Sequence, residues 1–330
     1  MQNRFIDITE IARITNVHPS TVSRALNNNP RISEKTRKLV QEAAMAYGYI
    51  PDSSARSLIQ GRSMIVGIIA PDISNTFYSH IICAIEKVMN SHGYHVIVGS
   101  SYFDSEAEAK CIRTMVSRRV DALVICNPNE QSIPLLESIS SHVPIIFCDS
   151  MRSSNSFDRI YVDESYGISC AVEYLLSKGH SKLGSISDIP DAPRMNFFQQ
   201  HLHHHRISTS NEFHILSDKS DYSCGYDAVY KLYRQGNLPS ALFCIRDTIA
   251  IGALRAAYEL QLSVPDQLSI IGYDDSDIAE YAYKPLTTIH QPVDQIASNV
   301  VQCLLERLNG SVQPPREVRL TPELIIRQST

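Results

Sequence analysis

A chain of 330 residues that is 43% hydrophobic and 20% charged carries enough apolar material for two or three packed domains. No apolar run approaches the ~20 residues of a membrane span, and the early Asp7 and Glu10 do not suit a signal peptide. The net charge of −5 hides an asymmetry, because residues 1–62 hold nine Lys/Arg against five Asp/Glu while the remainder holds 21 against 30. A positive headpiece on a negative body fits a protein that offers one end to a polyanion.

The first elements are short helices. Ile8, Ile11 and Ala12 recur at helical spacing, Asp7 stands at the N-cap, and Glu10 completes a capping box. Asn16 and Val17 make a tight turn. Pro19 then opens a second helix, where its missing N–H costs nothing. Val22, Ala25 and Leu26 form the buried face of that helix, and Ser20, Ser23 and Arg24 point elsewhere. Two short helices on a tight turn, the second polar outside, describe a helix-turn-helix whose second helix enters the major groove. Ser33 opens a third helix with Leu39, Val40, Ala43, Ala44 and Tyr47 on one face, closed by Gly48 in a left-handed conformation. Lys35, Arg37, Lys38, Ser33 and Thr36 are candidates for phosphate contact, or for simple solvation.

Asp7-Ile8-Thr9-Glu10-Ile11-Ala12 and Ser20-Thr21-Val22-Ser23-Arg24-Ala25-Leu26-Asn27 resemble the signature of the lactose-repressor (LacI/GalR) family of bacterial transcription regulators. The resemblance implies a DNA-binding surface of Pro19, Ser20, Thr21, Ser23, Arg24 and Asn27. His18 and Pro19 replace the family's common serine and aliphatic or tyrosine, so the half-site sequence need not follow that of relatives. Asp52 to Leu58 is too short to be a helix on its own in water and reads equally as a linker. The resemblance implies a hinge helix here that folds on the operator, with Leu58 as an apolar wedge in the minor groove beside the small Ala55. Asp52 stands where the family usually has Asn.

From Met64 the texture becomes alternating strand and helix. Met64–Ala70, Val96–Gly99, Ala122–Cys126 and Ile145–Cys148 read as strands of one doubly wound α/β unit. Leu183–Ile186, Ala241–Cys244 and Ser269–Tyr273 read as strands of a second. Two such lobes in series suggest a cleft that hinges shut on a ligand beyond the strand ends. The expected organisation is a headpiece over 1–50, a hinge over 51–62 and a body over 63–330. Within the body, lobe 1 takes about 63–162 and 292–321, and lobe 2 about 163–291 and 322–330. The family crosses between lobes three times, which places the crossings near Val162, Gln291-Pro292 and Thr321-Pro322.

Strand ends supply the candidate effector contacts. Asp149, Asp247 and Asp274-Asp275 all follow apolar runs, where aspartate also serves as a helix cap or turn former. By resemblance Asp274 matches the effector-binding aspartate of Gly-Tyr/Phe-Asp-Asp, and Arg194 matches the arginine of Arg-x-x-Gly-Phe, with Phe197 in place of the glycine. Phe77, Tyr102 and Tyr222 fall where the family puts groups that stack on a sugar or base, with packing as the alternative. Arg246 stands where the family has a ligand-binding asparagine. With Arg194 it suggests a bidentate clamp for a sugar acid. The alternative is an ion pair with Asp247, Asp149 or Asp274.

No cofactor is expected. His201 and His205 share a helix face, but no cysteine or carboxylate completes a metal set. The eight cysteines are scattered singly, without a Cys-x-x-Cys pair, and read as reduced core thiols of a cytosolic protein. The expected function is a cytoplasmic transcription regulator, a repressor by the family's commoner mode. It binds a pseudo-palindromic operator in double-stranded DNA as a homodimer and answers to a small effector such as a sugar or sugar acid. A solute-binding protein of the same two-lobed fold is the alternative. No phosphate loop, dinucleotide fingerprint or nucleophile elbow marks an enzyme, and no membrane partner is expected.

Overall fold

The computed structural model describes residues 6–49, 61–150, 156–189, 192–208 and 210–330. They fall into two compact units divided between Ser63 and Met64. Ala55 and Leu58, with most of the expected hinge segment, lie outside the described residues.

The first unit holds α1 (Ile8–Thr15), α2 (Pro19–Leu26) and α3 (Glu34–Ala46). The Asp7 carboxylate accepts from the Glu10 amide at 2.9 Å, and the Glu10 carboxylate pairs with Arg13 at 2.6 Å. Asn16, in the left-handed conformation at φ 54°, ends α1 and makes the turn. Ile11, Ala12, Val22, Ala25 and Val40 form the core. The face expected on α3 is narrower than its sequence suggested. Val40 and Ala44 are buried, whereas Leu39 is 47% and Tyr47 52% exposed. A bundle of three short helices has room for only one line of α3 side chains, and Val40 with Ala44 one turn later fills it.

The second unit contains two six-stranded sheets. The first has the order β11-β5-β4-β3-β1-β2, built from β1 (Ile65–Ala70), β2 (His95–Ser100), β3 (Ala122–Cys126), β4 (Ile145–Cys148), β5 (Asp158–Val162) and β11 (Glu317–Leu320). Its helices are α4 (Thr76–Ser91), α5 (Ser105–Ser117), α6 (Ile133–Ile139) and α12 (Val293–Leu308). The second has the order β12-β10-β9-β8-β6-β7, from β6 (Leu183–Asp188), β7 (His214–Ser217), β8 (Ala241–Cys244), β9 (Ser269–Asp274), β10 (Thr287–His290) and β12 (Glu323–Ile325). With it go α7 (Glu164–Ser177), α8 (Ala192–His204), α9 (Tyr222–Arg234), α10 (Asp247–Glu259) and α11 (Asp277–Tyr281). All recorded pairings are parallel except β10 with β12. Three strands of the first sheet (β3, β4 and β5) and two of the second (β6 and β8) are fully buried runs, as parallel strands covered on both faces must be.

The chain passes from one sheet to the other between β5 and α7, between β10 and α12, and between β11 and β12. Strand β5 opens on Asp158 and Arg159, charges that hide its strand character. Both are buried because Arg307 grips Asp158 through two bonds of 2.7 and 2.9 Å and Glu317 of β11 holds Arg159 at 2.6 Å.

Helices α9 and α10 touch backbone to backbone. A Cβ on Gly252 would lie 1.8 Å from the Tyr222 carbonyl oxygen. Gly252→Ala is therefore expected to force the helices apart at a cost of about 3 kcal/mol, the upper end for overpacking. Urea unfolding measures it, and an unchanged midpoint would contradict so close an approach.

Candidate functional site

On α2 the burial alternates as groove entry requires. Val22 and Ala25 face the core, Pro19, Thr21 and Ser23 are half-buried, and Ser20, Arg24 and Asn27 are exposed. The Arg24 guanidinium bonds to no other described residue, while the Asn27 amide donates to the Ser23 carbonyl at 2.9 Å. His18 explains its departure from the common serine. Its Nδ1 lies 3.3 Å from the Ser20 amide and 2.8 Å from the Ser20 hydroxyl, so an imidazole caps α2 in place of a hydroxyl. Arg37 is not a free phosphate contact, because its guanidinium donates to the carbonyls of Asn29 and Ile32 at 3.2 and 3.3 Å.

In the body, the candidate residues gather at the carboxyl ends of the parallel strands. The Asp149 carboxylate follows β4 at φ 52° and accepts from the Tyr78 hydroxyl at 3.0 Å. Its charge is the smallest of the influences that, after burial, hold the Tyr273 hydroxyl well above its usual range. Phe77 is buried in the lobe-1 core with its ring 5.3 Å from that of Tyr78, so it packs under the cleft wall. Tyr102, at φ 53°, and Tyr222, at the start of α9, are exposed, and neither hydroxyl bonds another described residue.

Lobe 2 carries the charge. Buried Arg194 donates through Nε to Glu164 at 2.7 Å and through Nη1 to the Ile245 carbonyl at 3.0 Å. The same Nη1 stands 3.6 Å from Asp274, and the guanidinium lies 4.1 Å above the Tyr273 ring. Arg246, equally buried, reaches Asp188 at 3.1 Å. Among the described residues the two arginines pair with different carboxylates, where the sequence suggested one shared clamp, and Asp188 was not among the partners named for Arg246. A guanidinium taken out of water needs a carboxylate, and each strand end supplies its own. Asp274, held at φ 112°, also accepts from the Gln291 amide at 2.7 Å.

Asp247 is a structural residue. It accepts from the Thr288 hydroxyl at 2.6 Å and from the Ser276 amide and hydroxyl at 2.7 and 2.9 Å, tying α10 to β9 and β10. Gly272 makes this possible, since a Cβ there would lie 2.2 Å from Asp247 Oδ1. Burial, aided by the nearby charge of Asp274, pushes the Asp247 pKa up to about 8 against the three bonds. Glu164, Asp188, Gln291, Tyr78 and Tyr273 were not foreseen. Asp188 had a signal, since it too ends an apolar run, whereas Glu164 and Gln291 follow lobe crossings and carried none.

A helix-turn-helix unit followed by two parallel-sheet lobes with a polar floor where their strand ends meet defines a ligand-responsive DNA-binding regulator. The chain belongs to the lacI family of bacterial regulatory proteins. The family's own description, "Bacterial regulatory proteins, lacI family", matches residues 7–52, and a periplasmic binding protein-like domain matches 172–330. The chain is 32% identical over 330 residues to the HTH-type transcriptional repressor PurR of Escherichia coli O139:H28 (strain E24377A / ETEC), covering 98% of this chain and 96% of that one. It is 29% identical over 330 residues to catabolite control protein A of Priestia megaterium, covering 98% and 99%. A crystal structure of the Lac repressor dimer bound to operator and the anti-inducer ONPF shares the fold at a TM-score of 0.83, with 24% identity and 99% of each chain covered. The relatives are transcription regulators, and no described helix is long and apolar enough to cross a membrane.

The Asp247 carboxyl sets a pH dependence. Its folded pKa of about 8 lies above the ordinary carboxyl value of 3.8, so the folded state holds the proton more tightly. The corresponding stability is full below the unfolded pKa and is lost as pH rises from about 4 to about 8. Asp247→Asn has no such loss. Urea unfolding of both proteins across that range is expected to show the variant gaining on the parent as pH rises, and parallel curves would contradict a buried protonated carboxyl.

Proposed function

We propose that the chain is a repressor that binds an inverted-repeat operator as a homodimer and is switched by a neutral, polyhydroxylated metabolite held between the lobes. The observation that carries the effector class is the engagement of both cleft arginines by carboxylates. With Arg194 on Glu164 and Asp274 and Arg246 on Asp188, an anionic ligand would have to displace a buried carboxylate, which costs several kcal/mol. A neutral polyol instead trades hydroxyl bonds with Asp149, Asp274 and Arg194, and its ring has the exposed Tyr102 and Tyr222 beside it as platforms. A sugar acid remains the second reading, favoured only by two arginines being present at all.

For DNA, Arg24 is the residue proposed to read a base, bonding bidentately to guanine, with Ser20, Thr21, Ser23, Asn27 and Pro19 fitting the groove around it. Ala55 and Leu58 keep their proposed place as hinge contacts in the minor groove. The dimer surface is proposed on lobe 2. A groove of about 480 Å³ there is lined by Ile251, Leu254, Tyr258, Ile278, Tyr281 and Tyr283, among others. Tyr258 and Tyr283 meet edge to face with ring centroids 5.4 Å apart, and Arg255 and Glu259 pair at 2.7 Å beside them. A patch of exposed aromatics flanked by both charge signs is self-complementary, which is what a two-fold contact between copies needs.

Selection of duplexes from a random pool by the full chain is expected to return an inverted repeat. Arg24→Ala is expected to weaken binding by about 1–3 kcal/mol and relax one position in each half-site. An asymmetric consensus, or unchanged preference in the variant, would overturn the reading. Tyr281, 83% exposed, tests the dimer separately. Tyr281→Asp should sediment as a monomer, and a dimer of undiminished strength would move the interface elsewhere.

A further inference from the structure

The last residues of β3 and β4 are cysteines in register on adjacent parallel strands, Cys126 opposite Cys148. Both side chains lie in the same core, on the face of the sheet covered by α4 and α12. Both thiols are buried and free. Adjacent strands set Cα atoms about 4.8 Å apart, inside the roughly 4.4–6.8 Å that a disulfide spans. The next residues are Asn127 and Asp149, both at positive φ, and the Asn127 amide donates to the Cys148 carbonyl at 2.9 Å. Pulling the two sulfurs together therefore moves the Asp149 corner and its bond from Tyr78.

We propose that Cys126 and Cys148 form a reversible oxidation site that closes to a disulfide under hydrogen peroxide. The Cys148 sulfur attacks one peroxide oxygen and the O–O bond breaks. The departing hydroxide takes up the thiol proton and leaves as water, with Cys148 as a sulfenic acid. The Cys126 sulfur then displaces the hydroxyl, an S–S bond replaces the S–O bond, and the Cys126 proton leaves with the hydroxyl as a second water. Two thiols are oxidised and one peroxide is reduced to two waters. The neighbouring Cys126 and burial hold the Cys148 thiol well above its usual range, so the packed pair reacts slowly and the strand ends must loosen first. Once a sulfenic acid forms, the thiol at the paired position of the adjacent strand captures it before further oxidation.

The chemistry of the pair stands without the effector reading, and only its consequence at Asp149 rests on that reading. The test treats the full chain with hydrogen peroxide, blocks remaining thiols with iodoacetamide and maps peptides without reduction. The expected product is one peptide pair joined through Cys126 and Cys148, two hydrogens lighter and reopened by dithiothreitol. Recovery of both as alkylated thiols after exposed Cys83 has oxidised would overturn the proposal, as would over-oxidised Cys148 with no bridge. Because the readout is a mass, a failed search for a cleft ligand leaves it intact.

Discussion

Two guanidinium groups buried at the carboxyl ends of the lobe-2 strands govern the arrangement around them. Arg194 is at once an ion-pair partner of Glu164 and Asp274, a donor to the Ile245 carbonyl and a cap on the Tyr273 ring. It thereby joins the first crossover, the end of β8 and the Gly-Tyr-Asp-Asp corner of β9. Arg246 joins β6 to the start of α10 through Asp188. Removing one member of such a pair strands a buried charge and costs about 3–5 kcal/mol, so these contacts position the cleft floor whether or not it is occupied.

The same constraint carries over to function. The second crossover leaves lobe 2 at Gln291, whose amide is bound to Asp274. On the proposed effector reading, a ligand that competes for Asp274 would act on the residue where the chain turns into α12, and one short segment would supply the differential contact that a population shift requires.

Much of this was legible in the sequence because the physics is local. The turn residues, Pro19 at N1 and the apolar spacing of α1 and α2 sufficed for the helix-turn-helix, and uninterrupted apolar runs sufficed for β1, β3 and β4. Strands β5, β7, β10, β11 and β12 were not legible. Asp158 and Arg159 look like surface residues until Arg307 and Glu317, some 150 residues away in the chain, neutralise them. Within the site, Asp149, Arg194, Arg246 and Asp274 stood out as charged residues at apolar strand ends or through the resemblance. Their partners did not, since which carboxylate meets which arginine is decided by tertiary packing. The exposure of Leu39 was hidden for the same reason, whereas the His18 cap is local and was missed because an imidazole is not among the usual N-cap side chains.

The measurement that bears most directly on this account is a thermal-shift screen of the full chain against neutral sugars (D-glucose, D-galactose, D-ribose) and the corresponding sugar acids (D-glucuronate, D-galacturonate, D-ribonate). A ligand at a hundred times its dissociation constant adds about 2.7 kcal/mol of stability, which such a screen resolves. With both arginines already paired to carboxylates, stabilisation is expected from a neutral sugar and not from its acid, and Asp274→Ala should abolish it. Stabilisation by the acids alone, lost in Arg246→Asn, would contradict it.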